Sequence, residues 1–93
     1  MPGERAGHFL WPGLDGIISG QYAIGHGCAP GVAVLKVLPQ NLNNLQMHGS
    51  LTITDNYGTV IIPGCKIDKI RQQEEGDGFV WIFEILDWRW KWR

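Results

Sequence analysis

The C-terminal run, residues 79–93, constrains this chain more than any other stretch. It holds four of the five tryptophans. From Phe79 to Leu86 it is dense in aromatic and β-branched residues and apolar on both parities, the pattern of a strand buried on two sides. From Asp87 onward it alternates. Trp88, Trp90 and Trp92 fall on one side, and Asp87, Arg89, Lys91 and Arg93 fall on the other. Side chains of a strand repeat every second residue, so this half is an aromatic face backed by a charged one. If Trp81, Phe83 and Ile85 point into a core, strict alternation sends Asp87 and Arg89 in after them. A bulge near Leu86-Asp87 would shift the phase by one and bring the tryptophans to the core side. That bulge is the expectation. The remainder of the chain is expected to wrap around this strand.

The preceding segments read as short strands and turns. Residues 1–13 contain Pro2, Gly3, Gly7, Pro12 and Gly13 and form an extended N-terminal arm, anchored by Phe9, Leu10 and Trp11. Residues 14–93 form a single domain. Residues 14–25 carry an irregular strand signal, with Gly16 and Gly20 marking bulges or close backbone approach. Pro30-Gly31 suits the centre of a type II turn. Residues 32–38 are a strong strand ended by Pro39. Residues 40–48, polar and amide-rich, read as a surface loop. Residues 49–55 alternate, Asp55-Asn56-Tyr57-Gly58 makes a hairpin connection, and residues 59–62 return. Pro63-Gly64 reads as a further turn. Residues 65–72 alternate imperfectly, which points to a bulge or an edge position. The acidic tip, residues 73–78, then leads into the final strand. No helical pattern of three turns and no internal repeat is present. The fold expected is all-β: a small antiparallel β-barrel or sandwich of five to six strands, with the last strand central.

Composition narrows the classes of function. Ninety-three residues make one domain with a modest core. A net charge of −1 gives no general attraction to nucleic acid or to an anionic membrane. No apolar run reaches the roughly 18–20 residues of a membrane helix, and residues 1–13 do not resemble a signal peptide. The expected location is cytoplasmic, and the expected state of Cys28 and Cys65 is two buried thiols rather than a disulfide.

Few residues suggest chemistry. His26-Gly27-Cys28 lacks the spacing of a zinc knuckle, and no second pair accompanies it. His8 and His48 read as surface residues. Nothing around either cysteine resembles an activated thiol. Glu74, Glu75 and Asp77 share one solvated loop. Glu84 and Asp87 interrupt an apolar strand and need partners, for which Arg71 and Arg89 are the candidates. No phosphate-binding glycine loop is present. No catalytic residue, metal or cofactor is expected from these patterns.

The ordered set of segments resembles a known family. Ile17-Ile18-Ser19-Gly20-Gln21-Tyr22, the Pro30-Gly31 turn, Leu51–Val60, Pro63-Gly64-Cys65-Lys66-Ile67-Asp68 and the terminal Ile85–Trp92 are similar to the opening β-domain of tail-hub proteins (late-control, baseplate-hub) of contractile phages and prophages. The resemblance spans residues 14–93 and lies in the order of the set, not in any one motif. It implies a β-barrel that helps build a ring joining tail tube to spike, without catalysis. Members of that family run on for hundreds of residues. The function expected is therefore a structural assembly module, acting through protein–protein contacts, self-association included, and the resemblance implies incorporation into a phage-like particle. The contact residues expected are Phe9, Leu10, Trp11, Trp88, Arg89, Trp90 and Trp92, since Trp and Arg are enriched in interfaces. The alternative is a binding module for glycan or single-stranded nucleic acid that uses the Trp88/Trp90/Trp92 stripe. Nucleic acid is the weaker of those two, because the flanking acids oppose an electrostatic funnel.

Overall fold

The computed structural model describes residues 4–88, with side chains from residue 7. All regular structure in it is strand: β1 Glu4–Ala6, β2 His8–Leu10, β3 Ile17–Ala23, β4 Gly31–Val37, β5 His48–Asp55, β6 Gly58–Glu75 and β7 Gly78–Asp87. They form one antiparallel sheet in the order β1-β3-β4-β7-β6-β5-β2. The two ends of that order, β1 and β2, are consecutive pieces of one arm. Its first piece pairs with β3 and its second with β5, so the sheet curls into a nearly closed barrel whose seam is the arm. β7 lies at the middle of the order, flanked by β4 and β6, as the terminal run predicts.

The core fills the barrel from every side. Leu35 and Val37 of β4, Leu51 and Ile53 of β5, Ile62, Cys65 and Ile67 of β6, and Phe83 and Ile85 of β7 are all buried. Phe9 and Trp11 enter from the arm, and the Trp11 indole Nε1 donates to the Gln46 carbonyl at 2.7 Å. That bond ties the arm to the loop between β4 and β5. Leu42 and Leu45 of the same loop pack against the core, so the polar run at 40–48 closes one end of the barrel instead of merely crossing its surface.

Irregularities carry the curvature. β3 has an extra residue opposite β4 between Ile17 and Ser19. Gly20 lies beneath Phe9 and Leu35, as close approach there requires. Pro63-Gly64 is not a turn between strands. It is a bulge inside β6, which pairs with β5 on both sides of it. Gly64 takes φ +72, a conformation other residues rarely adopt, and Pro63 offers no N–H to the ladder. The turn near residue 28 is also displaced. It runs from His26 to Ala29, closed by Ala29 N to His26 O at 3.0 Å, and Gly31 already belongs to β4.

The expected bulge at Leu86-Asp87 is absent. β7 holds an unbroken register against β4 from Trp81 to Asp87. The phase change falls in its neighbour: β6 has an extra residue at Asp68, between Ile67 and Lys69. Cys65 and Ile67 point inward before it. After it Lys69 and Arg71 sit opposite Glu84 and Ile82, while Ile70 sits opposite Phe83. Asp87 therefore follows Phe83 and Ile85 into the interior, where it is 2% exposed.

Candidate functional site

Two places in the barrel combine unusual residues. The first is the end at which Asp87 enters. Tyr22 of β3 crosses over Gly31 of β4, where a Cβ would lie 2.7 Å from its hydroxyl oxygen, and donates to Asp87 Oδ2 at 2.7 Å. A glycine at 31 is what lets the ring reach across β4 to β7. A buried carboxyl without a partner is costly, and the phenol supplies one; this is why the strand keeps its alternation. Cys65 pairs with Asp87 in the β6–β7 register, and its Sγ donates to the Ile62 carbonyl at 3.4 Å. Its thiol is buried. The Tyr22–Asp87 bond ties β3 to β7 across β4 at this end.

The second place is the overhang of the β6–β7 hairpin. β6 runs for 18 residues, far longer than β4 with 7. The ladder with β5 ends at Lys66, and Ile67 N donates to Met47 O at 2.9 Å. Beyond that point residues 68–75 have β7 on one side and, among the described residues, no strand on the other. The β4 ladder on β7 likewise begins at Trp81, leaving residues 78–80 outside it. Lys36 Nζ meets Glu75 Oε2 at 2.7 Å, which draws the tip back over the outer face. Val80 and Ile82 are buried on that side.

The opposite side of the overhang continues the row of Phe83 with Trp81 and Phe79, and on β6 with Ile70. Ile70 and Phe79 are 40% and 39% exposed. Trp81 is half-buried against Phe83, with ring centroids 6.2 Å apart. Its Nε1 is enclosed with no hydrogen-bond partner among the described residues. The overhang thus offers an open strand edge and a partly uncovered apolar row, the two ingredients by which a sheet adds a neighbour.

The residues singled out from sequence are dispersed. Phe9 and Trp11 are 3% exposed in this chain's own core and offer no contact surface. Leu10 points outward at 64% exposure, near Ile61. Trp88 is half-buried, and Arg89, Trp90 and Trp92 lie outside the described residues. Arg71 faces Ile82 across the ladder instead of Glu84. Cys28 is exposed in the turn, which corrects the expectation of two buried thiols, and Cys65 is buried. His8, His26 and His48 are exposed. No group of three metal-ligating side chains comes together among the described residues. No described helix is long and apolar enough to cross a membrane.

Sequence reasoning missed the overhang, although a signal exists. Residues 65–75 and 78–87 form two arms longer than any neighbouring strand signal, so part of the hairpin had to outrun the sheet. Comparison with known proteins adds no relative: the chain matches no family model, no curated protein and no solved structure.

Proposed function

We propose that this chain is a structural assembly module that works through protein–protein contacts, with the β6–β7 overhang as its contact element. The observation that carries this is the unpaired edge at residues 68–75 beside the exposed Ile70 and Phe79. An open edge invites strand addition, and natural sheets normally cover or charge such edges. The resemblance to phage tail-hub opening domains points the same way, toward a barrel built into a larger particle as part of a ring. The contact moves from the Phe9-Leu10-Trp11 arm to the hairpin, because the arm closes the barrel.

Light scattering across a concentration series tests this, with the double variant Ile70→Asp/Phe79→Asp as control. Both side chains are partly exposed, so the variant should lose only about 1 kcal/mol per site in folding stability. Wild type should form species above the 10.4 kDa chain mass, and the variant should remain at that mass. A wild type that stays monomeric throughout, or an oligomer indifferent to both substitutions, contradicts the proposal.

A further inference from the structure

We infer that the open edge of β6 pairs with the same edge of a second copy of this chain, antiparallel and centred on Gln72. The inference rests on the assembly reading and names its partner. Its ground is the order of charge along the unpaired edge. Lys69 and Arg71 occupy the first half, and Glu74, Glu75 and, at the turn, Asp77 occupy the second. Lys69, Arg71 and Glu75 share one face, because the register with β7 runs without a break from Lys69 to Glu75. A parallel pairing of two such edges would set lysine against lysine and glutamate against glutamate. An antiparallel pairing does the reverse.

Centred on Gln72, the antiparallel pair sets Lys69 opposite Glu75 of the second copy and Arg71 opposite Gln73. Asp77 of the second copy falls diagonally within reach of Lys69. A twofold axis repeats each contact. Glu75 meets Lys36 through Oε2 only, which leaves Oε1 for the incoming lysine. Residues 69–75 span roughly 24 Å of strand, a ladder that uses nearly the whole open edge. Ile70 lies on the face continuous with Phe83 in each copy, and this register sets it opposite Glu74 of the second copy, whose Phe79 is next in that row. A head-to-tail ring would join unlike surfaces. This edge is self-complementary, and the contact it makes is therefore isologous.

Charge reversal tests the pairing without touching the core. The variant Lys69→Glu/Arg71→Glu leaves the edge without a cation, and Glu75→Lys/Asp77→Lys makes the face of Lys69 and Arg71 basic throughout, with Glu74 on the other face. Each alone should dimerise roughly tenfold or more weakly than wild type, because every opposite-charge contact becomes a like-charge one. Mixed in equal amounts, the two should form a heterodimer of wild-type strength, seen by native mass spectrometry. Circular dichroism of each variant verifies that it is folded. Four results overturn the inference. A dimer unaffected by either variant, or variants that fail to recover on mixing, removes the edge-to-edge pairing and leaves the assembly reading to the Ile70→Asp/Phe79→Asp test. A ring-sized species does the same. A wild type monomeric at every concentration removes both.

Discussion

Deleting residues 1–10 should unfold the barrel or drive it to aggregate, the largest effect expected of any change to this chain. The arm pairs with β3 and with β5, so its loss opens both edges at once. It also removes Phe9, which is 3% exposed and lies over Gly20. Loss of a buried phenylalanine alone costs about 3–5 kcal/mol, against a total stability of roughly 5–15 kcal/mol for a domain of ordinary size. Two exposed strand edges then add an aggregation hazard. Urea denaturation of the truncated chain should show no cooperative transition. A synthetic peptide of residues 1–13 added in trans should restore one. Cooperative unfolding of the truncated chain at the wild-type midpoint would show that the arm is not part of the barrel.

The sequence carried the fold class because β-strands announce themselves by period and β-turns by residue type. Alternation at residues 49–55 and the Asn56-Tyr57 connection placed β5 and the start of β6. The structure closes that hairpin with Tyr57 N on Asp55 Oδ1 at 2.8 Å. The same logic failed where a residue type has two uses. Pro63-Gly64 serves a turn or a bulge equally well in a local reading, and only the pairing of β5 on both sides decides between them. The phase of the last strand failed for a different reason. An aspartate among core residues looks like a slip in register, unless its partner is known. That partner, Tyr22, is separated from it by 65 residues and reaches it only because position 31 is glycine. Nothing local to residues 85–88 encodes that. The arm was legible as extended chain but not as the seam, since Phe9 and Trp11 read alike whether they bury in their own barrel or in a neighbour's. The overhang was hidden because an unpaired edge is a property of the sheet, not of the strand.

Phe83→Ala is the second prediction of large effect. Phe83 is fully buried at the centre of β7, opposite Leu35 on one side and Ile70 on the other. Truncation leaves a void between two strands that are hydrogen-bonded to β7 on both sides and collapse poorly. The expected loss is about 3–5 kcal/mol, which lowers the Tm by roughly 15 °C or more in a domain of this length. Phe83→Leu should recover most of it, since the volume change is smaller. A Tm within a few degrees of wild type for Phe83→Ala, read by calorimetry, would mean that β7 does not sit where the core is densest.

Amide hydrogen exchange over residues 68–75, followed at low and at high protein concentration, is the most direct measurement of what this barrel is for. In dilute solution every second amide of that run should exchange within seconds while its neighbours, bonded to β7, stay protected. On concentrating the protein the fast set should slow together, as a second strand covers them. If all of these amides are protected at low concentration, or if the fast set stays fast at high concentration, the edge is not the surface through which this chain assembles.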